Sequence, residues 1–273
     1  MSRHIRTPDD AARRIRMLRE CLRKKGPLLV AYSGGVDSGL LAAVAAGEPG
    51  SRARAATLDA PIFSRRAIRD AASAAKQYGI PHDIIPFPVM EDEAFRKNQI
   101  DRCYLCKKAA SRLLREHAAG AGCAAVADGA NISDLDEYRP GLRASDEEGI
   151  CHPFIEAGMA KSDVRRAAEA CGLPFWNKPS SACLASRIPY GEEITEEKLR
   201  MIEDAEEFLF GKGFSQVRVR MHGPLARIEV LPGEIEKAVR LRDEIAGAFL
   251  GYGFVYVTLD LAGFRSGSMD EVL

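Results

Sequence analysis

A glycine-rich hexapeptide that directly follows a short apolar run restricts the possible folds of this chain more than any other feature. The apolar run covers residues 28–32 and is typical of a buried parallel strand, and the hexapeptide at 33–38 reads Ser-Gly-Gly-Val-Asp-Ser. Residues 39–46 then have a helical pattern. A tight glycine turn before a helix attracts anions, because it presents backbone N–H groups and a positive dipole end. The sequence therefore predicts a phosphate-binding loop at the carboxyl end of a sheet strand.

The residue types in this loop indicate how it would hold a nucleotide. Gly34 and Gly35 allow a phosphate to approach the backbone closely. Ser33 and Ser38 supply hydroxyl donors, and Asp37 is expected to bind Mg²⁺ or to fix the loop. The Gly-Lys-Ser/Thr ending of a Walker A loop is absent, which disfavours γ-phosphate transfer. A serine-capped turn without a ligand is the structural alternative.

Strand and helix patterns alternate through the first two thirds of the chain. After the loop we expect strands at 54–58, 82–85 and 124–128 and helices at 64–78, 107–118 and 161–171. This alternation predicts an α/β fold with a parallel, Rossmann-like sheet, right-handed crossovers and helices on both faces.

The pattern changes near residue 190. Beyond it we expect helices at 195–212 and 233–248 and strands at 216–221, 226–231 and 254–261. We therefore predict an α/β nucleotide-binding domain at 1–190 and a smaller C-terminal α+β domain, for substrate binding or oligomerisation, at 191–273.

Composition and charge exclude several classes of protein. The 39 Lys and Arg residues balance the 39 Asp and Glu residues, which argues against a nucleic-acid binder that relies on bulk electrostatics. No apolar stretch reaches the length of about 20 residues that a membrane span needs, and the charged N-terminus lacks the apolar core of a secretory signal. The seven cysteines do not suggest a disulfide framework. We therefore expect a cytoplasmic protein without membrane or nucleic-acid partners.

Three of the cysteines lie in polar surroundings. Cys103 and Cys106 form a C-x-x-C pair, and Cys183 lies in a segment rich in proline and serine at 178–187. Two thiolates at this spacing can share a metal or form a redox pair, and a third, remote thiolate would leave one corner of a [4Fe–4S] cluster open. Core packing is expected for the others, which are Cys21, Cys123, Cys151 and Cys171.

The loop resembles the PP-loop of the ATP pyrophosphatase superfamily, with its adenine nucleotide alpha hydrolase-like fold. Members of that superfamily cleave ATP between the α- and β-phosphates. The resemblance implies that the loop binds pyrophosphate while a substrate oxygen attacks the α-phosphorus. It also implies that the second strand lies beside the adenine, which makes Leu58 a candidate for base contact and Arg65 a candidate phosphate partner.

Longer segments narrow the resemblance to the LarE family. They lie at 128–134, 136–144, 178–191, 217–222 and 263–268 and, together with the loop, cover nearly the whole chain. LarE proteins are ATP-dependent sulfur transferases that act on pyridinium-3,5-biscarboxylic acid mononucleotide in nickel-pincer nucleotide biosynthesis. The resemblance implies ATP and Mg²⁺ as ligands, a small nucleotide as substrate, and a homo-oligomer.

Two sulfur sources occur within the family. Some members sacrifice the sulfur of one cysteine, which becomes dehydroalanine, whereas others hold a [4Fe–4S] cluster on three cysteines and pass on an extra sulfur. Cys103, Cys106 and Cys183 match the three-cysteine type, so we predict a cluster supplied by sulfide or another sulfur donor. Sacrifice of Cys183 is the alternative.

A substrate with two carboxylates and one phosphate needs several cations. Arg218 and Arg220 alternate along a predicted strand and so face the same side, where they could clamp an anion. A solvated outer face of a sheet is the alternative. Arg187, Arg265 and Glu206 are further candidates for the substrate site.

Three other functions stay open. A tRNA-thiolating PP-loop enzyme is disfavoured by the zero net charge and by the lack of zinc-ribbon cysteine pairs. An amidating enzyme would need an ammonia source or a glutaminase domain, for which 273 residues leave no room. A nucleotide-binding iron–sulfur sensor would leave the alternating arginines unexplained.

Overall fold

The computed structural model describes residues 8–135, 140–178 and 182–265. Its helices are α1 Pro8–Lys25, α2 Val36–Ala46, α3 Arg65–Gln77, α4 Glu93–Arg96, α5 Arg102–Gly120, α6 Pro140–Glu147, α7 Pro153–Glu156, α8 Lys161–Ala170, α9 Glu196–Gly211, α10 Ile235–Arg240 and α11 Arg242–Gly251. Its strands are β1 Leu28–Ala31, β2 Arg54–Asp59, β3 His82–Pro86, β4 Ala125–Ala127, β5 Val217–His222, β6 Leu225–Val230 and β7 Tyr256–Leu259. Short 3-10 helices cover Val89–Glu91, Ile132–Asp134, Leu184–Arg187 and Pro232–Glu234.

The described residues divide into two compact units, and the division does not follow the order of the chain. The first unit contains residues 8–60, 65–89, 101–135 and 140–178. The second contains residues 61–64, 90–100 and 182–265. Two short segments from the N-terminal half thus belong with the C-terminal residues. The domain boundary at residue 190 stays a prediction.

The first unit is built on a four-stranded parallel sheet in the order β3-β2-β1-β4. Successive residues of β1 enter different cores, because side chains alternate across a strand. Leu28 and Val30 pack in one core with apolar residues of α2, and Leu29 packs in another with Leu114 of α5. Helices therefore cover both faces, and the predicted α/β fold class with a parallel sheet is confirmed.

The second unit holds a three-stranded sheet in the order β5-β6-β7. Strands β5 and β6 form an antiparallel hairpin that turns at Gly223, whose φ is +55°, and β7 lies parallel to β6. The helix predicted at 233–248 is instead two helices, α10 and α11, because the backbone leaves the helical region at Leu241 (φ −93°, ψ 10°). No helix in the described ranges is long and apolar enough to span a membrane.

Candidate functional site

The glycine loop after β1 has the predicted strand–turn–helix geometry. Gly34 has a φ of +72°, and a Cβ there would lie 2.9 Å from the Cβ of Ala71 in α3, so conformation and packing both require glycine. Gly35 differs, because its φ is −81° and a Cβ there would approach Ser33 Oγ no closer than 3.4 Å. The fold therefore tolerates a side chain at Gly35, and what glycine provides there is open access to the start of α2.

The loop is held by its own serines. Ser33 N–H donates to Ser38 Oγ at 3.1 Å, and the two hydroxyl oxygens are also 3.1 Å apart. The first intrahelical bond of α2 runs from Gly39 N–H to Gly35 O at 2.9 Å. The N–H groups of residues 36–38 therefore have no partner within the helix, which makes this helix start a site for an anion.

Asp37, in the first turn of α2, has two carboxylate oxygens in different situations. Its Oδ2 forms an ion pair with the Nζ of Lys161 at the start of α8. Its Oδ1 is buried without a hydrogen-bond partner among the described residues. Mg²⁺ is commonly held by one or two carboxylates together with substrate phosphates, so Asp37 fits the predicted magnesium ligand. The described residues contain no group of three or more His, Cys, Asp and Glu placed to hold a metal ion.

The end of β4 meets the same loop. A Cβ on Gly129 would lie 2.9 Å from Ser38 N, so the backbone after β4 packs directly on α2. The adjacent Asp128 is buried and accepts from Lys107 Nζ at 2.9 Å, and its Oδ1 lies 2.7 Å from His152 Nδ1. Burial alone would raise the pKa of Asp128, but the positive charge of Lys107 and the hydrogen bond to His152 outweigh it and hold that pKa well below its usual range.

Sequence reasoning missed this buried network and also missed Lys161. A signal for Asp128 was present, because the residue ends the predicted strand at 124–128 and parallel strands end at the edge where ligands bind. Lys161 carried no comparable signal, since its partner Asp37 lies 124 positions earlier in the chain.

Leu58, predicted to contact the base, lies near the end of β2, and Arg65, predicted to contact a phosphate, begins α3. Leu58 is half-buried and packs against the core that contains Leu29. Arg65 forms an ion pair with Asp59 and donates to Ala60 O at 2.6 Å. Arg65 therefore braces the turn after β2, and its contact with ATP stays a prediction.

The C-x-x-C pair lies inside a helix. The helix predicted to begin at 107 begins at Arg102, so Cys103 and Cys106 occupy the first turns of α5 and, three residues apart, share one face. Residues 103–106 are a continuous run without the alternation of apolar and polar positions that marks a helix, which is why the sequence pattern missed this turn. Cys103 is exposed, Cys106 is partly exposed, and Cys183 is partly exposed in the second unit.

None of the seven cysteines, all of them described, forms a disulfide. Cys123 and Cys151 pack against apolar cores as predicted. The pKa of Cys21 is raised to about 12, mainly by burial and to a smaller extent by a hydrogen bond to Glu156. The prediction of core packing is wrong for Cys171, which ends α8 and is exposed.

Two candidate arginines of the second unit, Arg218 and Arg220, lie on β5. Arg220 contacts Glu229 at 3.3 Å and donates to Ser186 O at 2.9 Å. The guanidinium of Arg218, on the same face of the strand, lies 5.3 Å from the ring centroid of Phe264. Burial, with smaller contributions from neighbouring guanidinium groups, lowers the pKa of Arg218 to about 10. A bound anion would therefore offset the free-energy cost of burying the charge of Arg218.

The other candidate substrate residues are Arg187, Glu206 and Arg265. Arg187 is 1% exposed and forms a bidentate pair with Glu206, at 2.9 and 3.1 Å, close enough to Arg218 for their charges to interact. The Nη1 of Arg265 lies 3.7 Å from Asp260 Oδ1. Of the segments that resemble the LarE family, residues 136–139, 179–181 and 266–268 lie outside the described residues.

Comparison with known proteins gives no matching family model. The chain is 42% identical over 247 residues to an uncharacterised protein of Synechocystis, across 90% of this chain and 92% of that protein. It is 37% identical over 245 residues to the pyridinium-3,5-bisthiocarboxylic acid mononucleotide synthase of Lactiplantibacillus plantarum, across 89% of each chain. It is also 30% identical over 216 residues to the tRNA-specific 2-thiouridylase MnmA of Azorhizobium caulinodans, across 63% of this chain and 54% of that enzyme.

Proposed function

Because the chain belongs to the LarE family of ATP-dependent PP-loop sulfur transferases, we propose that it converts carboxylates of pyridinium-3,5-biscarboxylic acid mononucleotide into thiocarboxylates for nickel-pincer nucleotide synthesis. The observation that carries this proposal is the loop at the start of α2, where amides without a partner inside the helix lie in the same turn as the buried Oδ1 of Asp37. That combination suits a magnesium-bound polyphosphate. ATP is needed because a carboxylate oxygen is a poor leaving group. Once the oxygen is bonded to the α-phosphorus, it can leave as part of AMP.

In the first proposed step, a substrate carboxylate oxygen attacks the α-phosphorus of ATP and pyrophosphate leaves. The N–H groups of residues 36–38 and the hydroxyls of Ser33 and Ser38 bind the departing pyrophosphate. Asp37 would hold Mg²⁺, which neutralises phosphate charge when it is bound. Lys161 adds a positive charge beside Asp37. Leu58 is assigned to the adenine base and Arg65 to a phosphate.

In the second proposed step, a sulfur nucleophile attacks the activated carbonyl carbon and AMP leaves. We propose that Cys103, Cys106 and Cys183 hold a [4Fe–4S] cluster, which would supply the transferable sulfur as an additional sulfide. Two of these thiols, Cys103 and Cys106, share one helix face, and none of the three forms a disulfide. In the alternative, the Cys183 thiolate forms a thioester with release of AMP, and a base then removes the Cα proton as the Cβ–Sγ bond breaks, which leaves dehydroalanine and the thiocarboxylate.

Product analysis tests the overall proposal. With ATP, Mg²⁺, sulfide and the dicarboxylated nucleotide, we expect AMP and pyrophosphate in equal amounts, together with a nucleotide in which sulfur has replaced carboxylate oxygen. Mass spectrometry of the nucleotide and separation of the adenine nucleotides measure both products. ADP with orthophosphate would contradict the proposal, and AMP formation that depends on tRNA would favour thiolation of tRNA instead.

Arg218 is the arginine that we assign most directly to a substrate anion. Its guanidinium is buried and charged, so a phosphate or carboxylate would gain a charge-assisted hydrogen bond there. We expect Arg218→Ala to raise the KM for the dicarboxylated nucleotide about ten- to a hundredfold and to leave the KM for ATP unchanged. This factor corresponds to a loss of about 1.5–3 kcal/mol of binding free energy. Arg240→Ala, which removes an exposed arginine of the same unit, is the control. If only the KM for ATP changed, the assignment of Arg218 to the dicarboxylated nucleotide would be wrong.

Self-association is part of the same proposal. Val255 and Tyr256, at the start of the edge strand β7, and Leu250 in α11 are large apolar side chains that are more than half exposed. Exposed apolar residues at a sheet edge commonly mark a contact with another chain. They support a homo-oligomer, as the family resemblance implies.

A further inference from the structure

A buried ion pair lies next to Cys183. Arg187 ends the 3-10 helix Leu184–Arg187, and Glu206 lies on α9. Their side chains are 2% and 8% exposed, and Arg187 donates through Nε and Nη2 to the two carboxylate oxygens of Glu206. Glu206 Oε1 also accepts from the N–H of Val219 in β5 at 3.0 Å. The pair thus joins α9 and β5 to the segment that follows Cys183.

The remaining nitrogen of Arg187 binds the backbone on both sides of Cys183. Nη1 donates to Ala182 O at 3.1 Å and to Cys183 O at 2.9 Å, and it also lies 2.9 Å from Ser186 Oγ. The first carbonyl belongs to the peptide plane before Cys183, and the second belongs to the plane after it. One nitrogen therefore fixes both planes and with them the backbone angles of Cys183, φ −55° and ψ 137°. These angles set the direction of the Cα–Cβ bond that carries the thiol.

We infer that Arg187 and Glu206 are positioning residues that hold the Cys183 thiol in a fixed direction for sulfur transfer. This role rests on the proposed function of Cys183 and replaces the substrate contact predicted for both residues. Only a planar guanidinium can bind a carboxylate through one edge and two carbonyls through another nitrogen. Both sulfur routes need such a fixed thiol, because a cluster ligand and a nucleophile each act at a defined distance and angle.

The double variant Arg187→Met with Glu206→Gln tests this role. It removes both charges together, so neither is left buried without a partner, and the glutamine oxygen can still accept from Val219 N–H. The single variant Arg187→Lys keeps the charge next to Glu206, but one ammonium cannot also bind both carbonyls. It serves as a second variant that keeps the test decisive if the double variant does not fold.

The first measurement is the rate at which iodoacetamide alkylates Cys183 in the metal-free protein, resolved by peptide mass spectrometry. The exposed Cys103 and Cys171 serve as internal references in the same chain. We expect alkylation of Cys183 to become several-fold faster in both variants while the reference rates stay the same. The matched control, Arg112→Met with Glu148→Gln, removes an Arg–Glu pair of the first unit (2.8 Å) and should leave the rate at Cys183 unchanged.

The second measurement separates adenylylation from sulfur transfer. Formation of AMP and pyrophosphate should keep its KM for ATP, whereas kcat for thiocarboxylate should fall about a hundredfold, as expected for a displaced reacting group. Equal alkylation of Cys183 in wild type and variants would overturn the positioning role whatever the activity. Parallel loss of adenylylation and sulfur transfer would also overturn it. A wild type that makes no thiocarboxylate would instead refute the proposed function, while the alkylation rates would still decide the positioning role.

Discussion

Replacing Gly35 with valine is expected to abolish ATP binding and to leave the fold intact. The φ of Gly35 is −81°, which valine adopts readily, and the nearest atom to an added Cβ is Ser33 Oγ at 3.4 Å. The methyl groups would stand in front of the N–H groups of residues 36–38, where the phosphates approach. Loss of two or more charge-assisted hydrogen bonds, at about 1.5–3 kcal/mol each, weakens binding more than about a hundredfold. Calorimetric titration with MgATP measures this, and circular dichroism checks the fold.

The control for this experiment is Gly120→Val at the end of α5. Gly120 also lacks a positive φ, and a Cβ there meets nothing within 4 Å, so ATP affinity should not change. Gly34→Val is unsuitable, because its φ of +72° and its contact with Ala71 would damage the fold itself. Unchanged ATP affinity in Gly35→Val would mean that the loop is a structural turn and not a phosphate site.

Single alanine variants of Cys103, Cys106 and Cys183 are each expected to lose iron and sulfur transfer together. A [4Fe–4S] cluster held by three thiolates loses a third of its protein ligands in each variant. The wild type, purified without air, should show broad iron–sulfur absorption and should turn over more than once when sulfide is supplied. Iron content, the visible spectrum and thiocarboxylate yield per chain are the measurements. Cys171→Ala, which removes another exposed thiol, is the control and should retain iron and activity.

A sacrificial cysteine would give a different result in the same series. Only Cys183→Ala would then be inactive, and the wild type would lose about 34 Da as the sulfur of Cys183 leaves and dehydroalanine forms. That mass loss at Cys183 in active protein, with Cys103→Ala still competent, would refute the cluster.

Much of the α/β framework could be predicted because it depends on local patterns. The apolar run at 28–32 and the alternating strands and helices predicted the parallel sheet, which the structure confirms with at most one residue of difference at each strand end. The loop at 33–38 was predicted from residue types alone, since glycine flexibility and a following helix start are local properties. The helix start at Arg102 and the break at Leu241 were not predicted, because a first turn without alternating apolar and polar positions and a short interruption leave no clear helical period.

What the sequence by itself determined about this protein is the family, the fold class and the location of its phosphate loop, since each depends on residues that are contiguous in the chain. Only the tertiary structure decided which side chains meet. Lys161 reaches Asp37 across 124 positions, and segments 61–64 and 90–100 join the C-terminal unit. Arg187 was predicted to bind substrate, but its N–H groups donate to Glu206 and to the backbone around Cys183. The physical reason is that a buried charge must find its partner in space, and strand pairing and helix packing decide which partner is within reach.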